Sequence, residues 1–242
     1  MGTAISIELA DERSPAELAA LVGEACDWFH LVDARFSTYQ AASEVSRLRR
    51  GEITAADCSA DLRHVLDACA DLWRDTDGYF DAYAGGLLDP SGYVKGWSVE
   101  VASTRLFEAG SVNHYINAGG DIRMRGHHPD GGPWRVGIRH PWEAGKVSWV
   151  LALGDGAIAT SGTYERGDHV INPRTGEPAR GLRSVTVVGP DLALADAYAT
   201  AALAMGEPGL TWLAKLATDG YESAVVTDDG RAFSSAGLPA AV

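Results

Sequence analysis

The chain has 242 residues, 46% of them hydrophobic, and a formal net charge of −13. That is enough apolar material to bury a full core, and one compact domain over 1–242 is the simplest expectation. The acidic balance argues against a nucleic-acid partner, which needs a basic face, but leaves room for a nucleotide whose charge a metal offsets.

In chain order, Thr3 to Leu9 alternates like a strand. Ser14-Pro15 with Glu17 then starts a helix, with Pro in the first turn and an acid at the positive end of the helix dipole. That helix is expected to run to about His30. Ser43, with Ser46 and Arg47 behind it, reads as the cap of a further helix. Asp61 to Asp75 carries Leu62, Val65, Leu66, Cys69 and Leu72 on one helical stripe. Gly96 to Gly110 reads as another helix, with Val99, Val101, Leu106 and Phe107 as its apolar residues. Strands are expected at Tyr115–Asn117, Trp134–Ile138, Val147–Leu153, Ser184–Val188 and Ser223–Thr227. Helices are expected around Asp196 to Thr200 and over Gly209–Ala217. There is no strict βαβ rhythm, so the class is α+β, with mixed sheets and flanking helices.

The chemistry gathers in two places. Thr160 to Gly176 packs small residues, His169 and a Pro-Arg-Thr-Gly turn together without a hydrophobic run. Asp196 and Thr200 lie four apart in an Ala-rich helix and so share one face. Hard oxygen donors beside a polar turn suit a hydrated Mg2+ holding a phosphate, which points to phosphoryl transfer. His169, next to Asp168 where a strand meets a turn, is the best general acid/base candidate, against the commoner reading of a structural histidine.

Other loops read two ways. Tyr39 is an aromatic platform for a flat heterocycle or simply part of a turn before a helix cap. Asp89 to Trp97 offers backbone groups and Lys95 to a phosphate, or is a β-turn with a solvated lysine. Gly119-Gly120 before Asp121 permits close approach of a ligand, or is a plain hairpin turn. Neither a dinucleotide-binding glycine fingerprint nor a P-loop is present in the required context. His127-His128 reads as an exposed loop pair.

Cys26, Cys58 and Cys69 form no CxxC pair and read as buried thiols of a reducing compartment rather than a disulfide framework or zinc site. No basic start leads into an apolar stretch, and no window of about 18 apolar residues suggests a membrane span. The expected location is the cytoplasm, although a chain trimmed of an export leader would read the same way.

Taken in order, these segments resemble the ApbE family, the FAD:protein FMN transferases. The resemblance is carried by Met1-Gly2-Thr3, Phe36-Ser37-Thr38-Tyr39, Gly78-Tyr79-Phe80-Asp81, Lys95-Gly96-Trp97 and Gly119-Gly120-Asp121. It continues through Ala159-Thr160-Ser161-Gly162, His169-Val170-Ile171-Asn172-Pro173-Arg174-Thr175-Gly176 and Ala195 to Thr200. It implies a T-fold-like domain that binds FAD and Mg2+ and moves FMN onto a Ser or Thr hydroxyl of an acceptor flavoprotein, releasing AMP. By similarity, Asp196 and Thr200 ligate the metal with side-chain oxygens, and backbone carbonyls near Gly92 and Ala199 complete its shell. Met1, Tyr39, Asp89, Lys95, Asp121, Ser161 and Ile171 contact the flavin nucleotide. His169 helps to deprotonate the acceptor hydroxyl.

Three departures stand out. Only Ala82 to Tyr93 connects the Phe-Asp and Lys-Gly motifs, where the family commonly carries a longer cover. The family's Asp in the His-x-x-Asp-Pro run is Asn172 here, which keeps a turn but is no base. The lipoprotein leader of many relatives is not seen. An open site admits water, so an FAD pyrophosphatase giving FMN and AMP is the alternative enzyme, and a non-catalytic FAD-binding protein is the alternative of another class.

Overall fold

The computed structural model describes residues 2–166 and 170–241, the side chains of Glu165 and Arg166 excepted. The first half of the chain runs β1 (Ile5–Leu9), α1 (Pro15–Phe36), α2 (Glu44–Arg49), α3 (Ala60–Asp75), α4 (Ser91–Glu108), β2 (His114–Ala118) and β3 (Asp121–Arg125). The second half runs β4 (Trp134–Arg139), β5 (Val147–Leu153), β6 (Gly156–Gly162), α5 (Thr163–Arg166), β7 (Leu182–Gly189), α6 (Leu192–Met205), α7 (Pro208–Leu216), β8 (Glu222–Thr227) and β9 (Ala232–Ser234).

Seven strands form one sheet in the order β1-β2-β3-β6-β7-β8-β9, and β4 and β5 form a separate ribbon. The α+β class is as expected. The sheets, expected to be mixed, are antiparallel at every pairing. Between β7 and β8, α6 leads the chain away and α7 leads it back, so β8 starts at the end β7 left and runs opposite to it.

Along β6 successive side chains turn to opposite faces, and both faces are covered. Ala157 and Ala159 face the core built with α1, α3, α4 and α6, whereas Ile158 joins a second core under the ribbon with Met124, Trp134, Val136, Ile138 and Leu151. The alanines of α6 are buried nearly all round, which lets α4 and the sheet approach its backbone closely. Gly96 of α4 sits at that crossing, where a Cβ would meet the Leu192 carbonyl oxygen at 2.5 Å.

The start of α1 follows the sequence: Ser14 and Glu17 form a capping box, with Pro15 in the first turn, an arrangement worth about 1 kcal/mol. Its end does not. The helix continues past His30 to Phe36 because Val32 and Phe36 stay on its buried face, and Phe36 packs edge-on to Trp97 at 5.4 Å between centroids. The helix expected from Gly96 begins at Ser91, whose N–H donates to Asp89 Oδ1 at 3.0 Å. Phe107, read as one of the apolar residues of that helix, is 46% exposed. Of the three thiols, Cys58 and Cys69 are buried and Cys26 is exposed; burial pushes the Cys69 thiol up to about 12. Among the described residues no helix is long and apolar enough to cross a membrane.

Candidate functional site

The crossing of α4 and α6 builds the floor of the site. The Gly96 N–H donates to Asp196 Oδ2 at 3.1 Å. Lys95, one residue earlier, places its Nζ 3.5 Å from Asp196 Oδ1 and in contact with Asp121 Oδ2. Asp121 opens β3, and its Oδ1 accepts the Thr160 N–H at 3.1 Å, which ties β3 to β6. Its Oδ2 is buried, meets the Lys95 ammonium as an ion pair and has no hydrogen bond of ordinary geometry. One turn along α6 from Asp196, Thr200 Oγ1 lies 3.1 Å from Ser161 Oγ.

Two buried carboxylates therefore face one ammonium. Burial, with Asp121 nearby, pushes the Asp196 carboxyl above the usual carboxylate range, against the opposing pull of Lys95 and the Gly96 N–H. Burial works against the Lys95 charge as well, but Asp196 and Asp121 outweigh it and hold that ammonium above the ordinary lysine value. Burying an excess charge is costly unless a counter-charge arrives. The donor set fits a hard divalent cation: a carboxylate and a hydroxyl one turn apart on α6, with Gly92 of α4 lining the same cleft. No cluster of three or more His, Cys, Asp or Glu is present among the described residues, so most of the shell would be water and ligand oxygens, as Mg2+ prefers.

Above this floor opens a cleft of about 440 Å³. Tyr39, Asp89, Gly92, Lys95, Ser161, Ile171, Asp196 and Thr200 all line it, so eight of the expected residues converge on one space. Tyr39 stands at the rim with 97% of its surface exposed. Asp89 is held by its turn, its N–H donating to the Ala82 carbonyl at 2.6 Å. Ile171 bridges to Pro178 across the turn that Asn172 organises, where Asn172 Oδ1 accepts the Arg174 N–H at 2.9 Å.

Two expected residues take other places. Asp121 does not line the cleft and acts from beneath, through Lys95. Ala199 is fully buried in the middle of α6 and is not part of the lining, because a helix interior turns its carbonyl along the axis. Met1 and His169 lie outside the described residues. Thr160, Asp81, Gly2 and Thr3 line the cleft without having been singled out, although each sits inside or beside a quoted motif. Gly119 turns at φ +64 against Thr3, so the hairpin turn and the close approach are the same feature.

The chain is similar to known proteins of one family. The model of the ApbE family matches residues 1–89 and 82–223. An FAD:protein FMN transferase of Rhodobacter capsulatus is 39% identical over 157 residues, 61% of this chain and 29% of that protein. One of Vibrio cholerae is 37% identical over 153 residues, 59% of this chain and 46% of its own. The chain thus spans under half the length of these two curated relatives. The solved structure of the flavin transferase ApbE from Vibrio cholerae superposes with a TM-score of 0.86 at 26% identity, covering 98% of this chain and 94% of that one.

Proposed function

The chain belongs to the ApbE family, and from that premise we propose that it transfers the FMN half of FAD to a Ser or Thr hydroxyl of an acceptor flavoprotein, with Mg2+ at the pyrophosphate and AMP released. The observation that carries this reading is the buried cluster of Lys95, Asp121 and Asp196, one negative charge in excess, at the floor of a nucleotide-sized cleft.

Asp196, Thr200 and the Gly92 carbonyl would hold the metal, which when bound neutralises the pyrophosphate and the leaving AMP. Lys95 is fixed by two carboxylates and still 27% exposed, so its ammonium is positioned for a phosphate oxygen. Tyr39 offers an uncovered ring for stacking on a flat heterocycle. In the transfer, the acceptor oxygen bonds to the FMN-side phosphorus. The bond from that phosphorus to the bridging oxygen breaks, and AMP leaves with the electron pair. The hydroxyl proton goes to a base, a role this reading gives to His169.

A second reading keeps the site and gives the phosphoryl group to water. The nearly complete exposure of Tyr39 favours it, since a cleft open at that rim admits solvent. Asn172 also favours it, being occupied as a turn holder where the family carries a carboxylate.

The test incubates the protein with FAD and a Thr-containing acceptor, with and without Mg2+. Intact acceptor mass and free nucleotides are read together. A gain of one FMN on the acceptor with AMP formed only with Mg2+ is expected. FMN and AMP with an unmodified acceptor would select the hydrolase, and FAD that stays intact with Mg2+ present would overturn both readings.

A further inference from the structure

Two separate loops line the cleft. Ser37, Thr38 and Tyr39 follow the end of α1, whereas Asp89 leads through Pro90 into Ser91 and Gly92 at the start of α4. The two helices pack where Phe36 meets Trp97, but Tyr39 and Asp89 lie past that contact, outside both helices. The loops are joined instead by α2, no residue of which lines the cleft.

One end of α2 holds the Tyr39 loop. Ser43, the capping residue, accepts the Ser46 N–H at 3.0 Å and donates its own hydroxyl to the Ser37 carbonyl at 2.6 Å. Ser46 Oγ donates to the same carbonyl at 3.3 Å. Ser37 Oγ in turn accepts the Tyr39 and Gln40 N–H groups, both at 3.3 Å. The other end holds the Asp89 turn. Arg49, the last residue of the helix, donates its Nε to the carbonyl of buried Leu88 and sets Nη2 3.9 Å from Asp89 Oδ2. A planar guanidinium reaching both groups fixes direction as well as distance. Between these ends Val45 is fully buried, which pins the helix to the core, and six helical residues span only about 9 Å.

We propose that α2 sets the spacing between the two loops, and that Arg49 is the positioning residue at its far end. The proposal rests on the reading of the cleft as an FAD site. FAD carries a ring system on each side of its pyrophosphate, so it is held at both loops at once, whereas a ligand with one ring system needs only one of them. The spacing therefore selects for the whole dinucleotide over its halves, although Arg49 touches neither.

The test follows Mg2+-dependent AMP release from FAD in the acceptor assay above, with FMN and ADP as inhibitors. Arg49→Gln is expected to raise KM for FAD about tenfold with kcat little changed, and to alter the inhibition constants of FMN and ADP by less than about twofold. Arg49→Lys, which keeps a donor for the Leu88 carbonyl, should recover part of the loss. In a Tyr39→Ala background one loop has lost its ring, so Arg49→Gln should raise KM there by no more than about threefold. A residue that only supports the fold would weaken all three ligands alike and act additively with Tyr39→Ala, and that pattern overturns the proposal. Unchanged KM, or loss of kcat at constant KM, overturns it too. If wild type leaves FAD intact with Mg2+ present, the FAD reading falls and this proposal with it. Should Arg49→Gln fail to fold, Ser46→Ala decides from the other end of α2: a rise of about threefold in KM for FAD alone supports the proposal, and an unselective or absent effect refutes it.

Discussion

Helix α4 passes through two buried polar clusters that follow opposite rules. At its N-terminal end, Lys95 meets Asp121 and Asp196, and one carboxylate remains uncompensated. One to three turns later, every group finds a partner. Glu100 Oε1 accepts from Arg123 Nε at 2.9 Å, its Oε2 accepts the Leu192 N–H at 2.9 Å, and Arg123 also serves the Met124 and Gly156 carbonyls. Arg125 donates to Ser103, whose hydroxyl lies 2.8 Å from His114 Nε2. A closed network contributes stability, whereas an open one holds stability back for a ligand. The same helix therefore carries a closed cluster and an open one, told apart by the one buried oxygen in either that lacks an ordinary hydrogen bond, Asp121 Oδ2.

The sharpest way to break this distinction is to neutralise Asp196. Asp196→Asn keeps the acceptor for the Gly96 N–H but removes the excess charge. Magnesium-dependent FAD turnover is expected to fall on the order of 10²- to 10³-fold. Urea denaturation without metal should nevertheless place the variant within about 1 kcal/mol of wild type or above it. Full turnover, or a large loss of stability, would show that Asp196 belongs to the structural kind.

Glu100→Ala is the mirror experiment. It leaves Arg123 buried without its anion and strips the first N–H of α6 of an acceptor. We expect a loss of about 3 kcal/mol by urea denaturation, with FAD affinity nearly kept in the remaining folded protein. A stability cost under about 1 kcal/mol would mean that the network is not closed in solution.

Gly96→Ala touches both clusters through their shared helix. The added methyl would press on the Leu192 carbonyl and on Ala193, and forcing α4 and α6 apart should cost about 2 kcal/mol. It should also displace Lys95 from Asp196, so Mg2+ affinity, read by titration, falls with stability. Loss of stability alone would separate the crossing from the site.

The crossing also marks what the sequence made legible. Periodicity was sufficient for α3, α7 and β4, whose burial follows one repeat, and the ordered motifs pointed to Tyr39, Lys95, Asp196 and Thr200. It failed at β3, where Asp121-Ile122-Arg123-Met124 is buried on both faces, so charged residues that look solvated are in fact paired inside. It failed at β6 as well. Small residues there read as part of a polar turn, while their size is what admits the alanine helix above them. That Asp121 would act under Lys95, and that Gly96 would clamp Asp196, depends on contacts 26 to 100 positions apart, which no local pattern records. His169 lies outside the described residues, and its role stays a proposal.

The smallest expected effect tests the closed cluster by pH. The Ser111 carbonyl can only accept, so His114 Nδ1 carries the proton, and Nε2 accepts from Ser103. Burial lowers the His114 pKa, Arg125 and Arg123 add to that, and the Ser111 bond and Asp11 oppose it. The unfolded chain takes up this proton near pH 6.5, before the folded chain does. Its contribution is therefore fully present above that pH and is lost as pH falls towards the folded value, by at most about 1.4 kcal/mol per unit. His114→Gln removes the titration, so the difference between the wild-type and variant Tm profiles from pH 7.5 to 5 should narrow on acidification. Taking the difference matters, because Asp191, raised by burial, titrates with the opposite sign in both proteins and cancels. A constant difference would show that His114 is already protonated or already solvated, and the second cluster would then be as open as the first.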